Sequence, residues 1–214
     1  MPSAAFERFR FSFFEDTDSA RQGLDQTALA ALESEERVQA EDMLLRYLPD
    51  SRGIIGLGVL RSRRAEPALV ALFEAEARAR REREPYPDGD WLPYTLIHAA
   101  KVLWQIRPDP RWPLPVIEVL ASSAEWTFRQ EATQALYDVR DPAAARALIA
   151  ALDDPEALVR YHAARGLLAN HGLPAESKDL EHMMYRVMAD DPARRAGGKR
   201  DILAAIAGRE IAAP

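Results

Sequence analysis

Two arginines 31 residues apart, Arg129 and Arg160, sit in matching surroundings, EWTFRQEATQAL (125–136) and EALVRYHAARGL (156–167). A guanidinium carries five donors in a planar fork, so arginines at one register of a repeated helix form a ladder that grips an acidic partner. The competing reading is local: Arg160 closes on Asp153 or Asp154 of its own hinge and stabilises the stack. Catalytic material is thin. The four histidines, His98, His162, His171 and His182, show no pair four apart with a third ligand, as a zinc site on a helix would. No serine lies in a nucleophile motif, and Gly56-Leu57-Gly58 lacks the lysine and preceding strand of a phosphate loop. The chain has no cysteine, which excludes disulfides, thiolate metal sites and cysteine nucleophiles together. The expectation is no catalytic residue, no metal and no cofactor, with His162, beside Ala163, reading as a packed residue or one on a binding face.

Aromatic residues offer a different chemistry. Trp91, Trp104, Trp112 and Trp126 fall within 36 residues, joined by Tyr86 and Tyr94. Tryptophan, tyrosine and arginine carry most of the energy of protein interfaces, so Trp126 and this cluster are candidate anchors. Trp104, at helical spacing from Ala100, reads instead as core. The stretch PYPDGDWLPY (85–94) is too rich in proline and glycine for a helix. Either it is a binding loop presenting Tyr86, Asp90, Trp91 and Tyr94, or Asp90 caps the next helix while Trp91 folds back as a staple.

Charge is segregated. The chain carries a formal −6, opposite in sign to the footprint of a nucleic-acid binder. From Glu15 to Asp50 ten acids face three arginines; from Arg52 to Arg83 eight arginines face four glutamates. That polarity either serves a charged partner, through acids such as Glu35, Glu36, Glu41 and Asp42, or pairs internally. The basic run RSRR (61–64) is short, and the arginines of 77–83 alternate with glutamates as on a solvated helix. No window approaches the roughly 20 apolar residues of a membrane helix, and the charged N-terminal stretch does not read as a secretion signal. A cytoplasmic protein is expected, monomeric when unbound.

These residues need elements to place them. Alanine, leucine, arginine and glutamate dominate, residues that lose least on entering a helix. Asp153-Asp154-Pro155 interrupts two amphipathic runs as a hinge, with Asp154 capping and Pro155 opening the second helix. Asp141-Pro142 and Asp191-Pro192 repeat the device, and Glu66-Pro67 varies it. Expected helices cover 25–33 and 35–48, then pairs 51–62 with 66–83, 91–106 with 113–122, 126–139 with 142–152, 155–170 with 176–189, and a closing helix at 193–208. Small residues four before a leucine recur at Gly56, Ala99, Ala132 and Ala163, offsets of 43, 33 and 31. Two-helix units of that length predict an all-α fold, an α-solenoid of helical hairpins. It is read as one domain over 1–214, with an atypical acidic cap region at 1–50 and about four to five helical pairs over 51–214.

DPAAARALIAALDDPEALVRYHAARGLLANHG (141–172) carries Asp141, Pro142, Leu152, Asp154, Val159, Arg160, Ala163, Ala164, Leu167 and Gly172 in a recognisable order. It resembles the HEAT-like repeats first associated with phycobilisome lyases, and 113–139 resembles them in part through Arg129, Ala132 and Leu136. The resemblance implies a fold and a binding habit. It points to a non-enzymatic protein-binding scaffold using a concave face and the central aromatic loop, and the acidic segment would suit an immunity protein neutralising a toxin with a basic cleft. The same resemblance admits an alkylpurine DNA glycosylase, with Trp126, Asp138 or Trp104 as its material, or a bilin-lyase subunit or chaperone.

Overall fold

The computed structural model describes residues 2–14, 23–82, 93–173 and 178–209. Among them the repeating structure is helical, with no strand. Twelve α-helices run in order: α1 Ala4–Phe14, α2 Gln26–Ala30, α3 Ser34–Arg46, α4 Ser51–Val59, α5 Glu66–Glu82, α6 Tyr94–Ile106, α7 Pro113–Ser122, α8 Trp126–Ala135, α9 Pro142–Ala151, α10 Ala157–Asn170, α11 Lys178–Met188 and α12 Pro192–Ile206.

Local chemistry sets most of the boundaries. Asp141 accepts from the amides of Ala143 (2.7 Å) and Ala144 (3.3 Å), and Pro142 opens α9 where its missing N–H is not needed. Asp191 does the same for α12 through the Arg194 amide. The third hinge departs from expectation. Asp154 accepts from the Glu156 amide at 2.8 Å in a turn, Glu156 takes the cap position, and α10 begins only at Ala157, so Pro155 lies before the helix. A carboxylate held from the neighbouring unit, described below, fixes that turn. At the other end of α10, Gly172 adopts φ +72° and Leu173 N–H returns to the Leu168 carbonyl at 2.8 Å, the helix end that His171-Gly172 predicts.

The hairpins are phased one helix away from the expected pairing. α3 packs on α4, α5 on α6, α7 on α8, α9 on α10 and α11 on α12. The second helices α4, α6, α8 and α10 then line up side by side, while α7 packs on α9. Ser34–Arg46, grouped by sequence with the acidic N-terminal region, is therefore the first helix of a hairpin. The buried apolar residues form one continuous cluster from Phe6 to Ile206.

Close approach at α4 explains its glycines. A Cβ on Gly56 would sit 2.6 Å from Leu44 Cδ2, and one on Gly58 2.6 Å from Val102 Cγ2. Gly56-Leu57-Gly58 thus lets one short helix contact α3 and α6 at once. α1 is an addition to the expected elements: Phe6, Phe9 and Phe13 are buried, α1 packs on α2, and the Phe13 ring meets Tyr47 edge-on at 5.0 Å. Among the described residues no helix is long and apolar enough to cross a membrane.

Candidate functional site

Position for position, the second helices repeat more than their buried alanines. One residue before Ala99, Ala132 and Ala163 stand His98, Glu131 and His162; two residues after stand Lys101, Gln134 and Arg165. Three- and four-residue spacing keeps each set on one helix face. His98, Lys101, Val102 and Gln105 of α6, Glu131 and Gln134 of α8, and Ile55, Gly58 and Val59 of α4 line one groove of about 420 Å³, with Gln26 and Arg61 at its edge.

Within it, His98 Nε2 lies 3.8 Å from a Glu131 carboxylate oxygen, and Tyr94 stacks on the His98 ring at 6.3 Å. Burial drives the His98 imidazole down to about 4, and Lys101 pushes the same way. Burial lifts the Glu131 carboxyl above its ordinary value, partly offset by Lys101. Further along, the Tyr137 hydroxyl shares a hydrogen bond with His162 Nδ1, Gln134 Nε2 lies 3.5 Å from His162 Nε2, and Tyr161 meets the same ring edge-on. Burial, then Arg165, lowers the His162 imidazole too. Burial thus disfavours the charged form of both imidazoles. The groove offers one imidazole, amide donors, one carboxyl and cations, a surface suited to polar recognition.

A second groove, about 730 Å³, runs between α7 and α9 near their hinges; Trp126, Leu120, Ala147 and Ala151 line it beside Arg129 and Asp154. Trp126 is 37% exposed there. Among the described residues no cluster of metal-ligating side chains occurs.

The repeat arginines bind the stack itself. Arg129 Nη1 donates to the Ser123 and Ala124 carbonyls (3.0 and 2.9 Å), and Arg160 Nη1 donates to Asp154 and Pro155, the same carbonyls one unit on (2.8 and 2.7 Å). Each then reaches forward. Arg129 grips the Asp154 carboxylate through Nε and Nη2 at 2.7 and 3.0 Å, while Arg160 donates to Val187, Met188 and Ala189 carbonyls at 2.8 to 3.3 Å. Arg160 thus closes on Asp154 of its own hinge as expected, but through the carbonyl: the Asp154 carboxylate belongs to Arg129 and that of Asp153 to Lys199.

The acidic residues are also largely engaged at home. Glu36 accepts from the Ser3 amide and hydroxyl at 2.6 and 2.5 Å, which holds its carboxyl below the ordinary value. Asp42 pairs with Arg64 at 2.6 Å, and Glu41 pairs with Arg64 and bonds the Ser62 hydroxyl. Glu35 stays exposed. Tyr94 sits against Phe128, ring to ring at 5.2 Å. Tyr86, Asp90 and Trp91 lie outside the described residues. Trp104 is core, its indole N–H on the Asp138 carbonyl at 2.9 Å, and Trp112 is fully buried. Trp126 opens α8, and Asp138 lies in the turn beyond its end. Of the residues named for a glycosylase, Trp104 meets Asp138 through the backbone carbonyl and its ring is buried.

A family model describing HEAT repeats matches residues 88–196, just over half of the 214-residue chain. The chain belongs to the HEAT repeat family. No curated protein matches it significantly. The matched span holds α6 to α11, hence the whole polar row from His98 to Arg165. HEAT repeats generally mediate protein binding, and the second-helix face carries this chain's row of unlike polar groups. Of the residues in that row, the sequence reading singles out His162; His98, Glu131, Lys101 and Gln134 were legible one and two positions from the alanines that reveal the repeat.

Proposed function

We propose that this HEAT protein is a non-enzymatic binding scaffold that holds a segment of another protein along the face of α4, α6, α8 and α10. The observation that carries the reading is the placement of His98, Glu131 and His162, and of Lys101, Gln134 and Arg165, at equivalent positions of successive units, the first five residues of that face opening on or bordering one groove. Affinity capture from native cells tests it, comparing the wild-type chain, a Lys101→Glu/Gln134→Ala double variant and Trp126→Ala, each checked for native helicity. A protein retained by the wild type and by Trp126→Ala but lost by the double variant supports the reading. Loss with Trp126→Ala alone moves the binding face to the α7–α9 groove.

The narrower immunity-protein reading draws on the acidic segment, and three of its four named acids already have partners, leaving Glu35 facing solvent. It requires association with a basic partner that slows as salt rises and slows further in Glu35→Ala. Association rates indifferent to ionic strength exclude it. Nothing in the groove favours a bilin.

A further inference from the structure

Arg61 is the anomaly of this face. It follows α4 with φ +47°, its N–H returning to the Gly58 carbonyl at 2.9 Å while Ser62 N–H returns to Leu57 at 3.0 Å. That is the left-handed helix-end position where glycine is at home and a side chain is strained. Those two backbone bonds hold the turn, but the side chain adds nothing to it: the Arg61 guanidinium has no hydrogen-bond or ion-pair partner among the described residues, and it lines the groove. Lys101, half-buried on the same groove, makes no hydrogen bond or close ion pair among the described residues, though Glu131 and His98 feel its charge. Other cations of the chain meet carboxylates, as Arg64 meets Asp42 and Arg107 meets Glu66, but neither of these two lines the groove.

Resting on the scaffold reading, we propose that the groove takes an acidic segment of its partner, seating a side-chain carboxylate between Arg61 and Lys101. Gln26, Gln105 and Gln134 supply amides for the flanking peptide backbone. A groove of about 420 Å³ admits a few side chains of an extended segment rather than a folded surface. Glu131 lies on the same wall and selects against a polyphosphate, whose charge would press on it along the strand; a spaced carboxylate can sit clear of it.

The test is fluorescence anisotropy of labelled hexaglutamate titrated with the full chain, with hexaglutamine, hexalysine and a short DNA duplex in parallel and inorganic phosphate as competitor. Hexaglutamate should bind in a salt-sensitive manner and the other probes should not. Arg61→Gly and Lys101→Gln should each weaken binding by about tenfold, the loss of one charge-assisted bond. Glu131→Gln should tighten it, and Arg146→Gln, which removes an exposed charge on α9, should leave it unchanged. Arg61→Gly should melt at or above the wild-type temperature, since glycine enters that backbone freely. A lower melting temperature makes Arg61 structural and overturns its assignment. Equal weakening by Arg146→Gln, preference for the duplex or hexalysine, or displacement by phosphate at concentrations matching the peptide's overturns the proposal. If hexaglutamate fails while Lys101→Glu/Gln134→Ala still abolishes capture from cells, the acidic chemistry falls and the scaffold face stands; if both fail, the face falls with it.

Discussion

At the residue scale, aspartates that look alike in the sequence do different work. Asp141 only caps α9, whereas Asp154 also receives a bidentate guanidinium, with side chains 12% (Arg129) and 9% (Asp154) exposed. Removing a cap costs about 1 kcal/mol, while removing one member of a largely buried pair leaves the other charge stranded and costs about 3 kcal/mol. Urea denaturation of Asp141→Ala and Asp154→Ala should separate the two by that margin; equal losses would mean that the Ser123 and Ala124 carbonyls satisfy Arg129 alone. His98 makes a pH prediction. Its folded-state value is depressed to about 4 from 6.5, so the unfolded chain takes up the proton first on acidification. Its neutral form stabilises the fold above pH 6.5, and that contribution is lost as pH falls from 6.5 towards 4, by about 3 kcal/mol at most. His162 shifts the same way, whereas Glu131, whose value is raised, loses stability as pH rises through its folded-state value. Denaturation measured from pH 7 to pH 5 should therefore show falling stability, with a shallower slope in His98→Gln; parallel slopes would place a water at the ring.

At the scale of elements, α1 shows what amphipathic reading misses. Phe6, Phe9 and Phe13 have helical spacing, yet Phe11 of the same helix is 52% exposed, so aromatics surround the helix and no clean face stands out. Phe9→Ala should cost about 3–4 kcal/mol for a fully buried ring, whereas Phe11→Ala should change stability by less than about 0.5 kcal/mol; hydrogen exchange in 4–14 reads whether the loss stays local to α1. Helix positions were otherwise legible, because Asp-Pro steps and Gly172 act through neighbours in the chain. The phase of the hairpins was not, since the choice of mate depends on which apolar faces meet across space. The same limit governs the site. Offsets of 33 and 31 residues put His98, Glu131 and His162 in register, but the groove that His98 and Glu131 line needs α4, His162 neighbours it only through Gln134, and Arg61 joins it through a backbone conformation that its type argues against.

At the scale of the molecule, each unit touches chiefly its neighbours, so stability is carried by hairpins and the joints between them. α10 is jointed both ways. Asn170 Nδ2 reaches back to the Leu136 and Val139 carbonyls, both at 3.1 Å, and Arg160, 1% exposed, reaches forward to the carbonyls that end α11. Arg160→Ala removes the forward joint, stranding five carbonyls, three of them in that joint, and opening a cavity, a loss of about 3 kcal/mol. What remains between the last hairpin and the array is the α10 packing onto α11 and α12 and the Lys199–Asp153 pair, which is largely exposed on the aspartate side and contributes little. Hydrogen exchange followed by mass spectrometry should then find 178–206 opening ahead of α7 to α10 in Arg160→Ala, with a separate low-temperature transition. Asn170→Ala cuts the backward joint and should instead loosen the end of α8 while 178–206 keeps its protection. Uniform loss of protection in both variants would mean that the array unfolds as one unit and that these side chains set its total stability without dividing it.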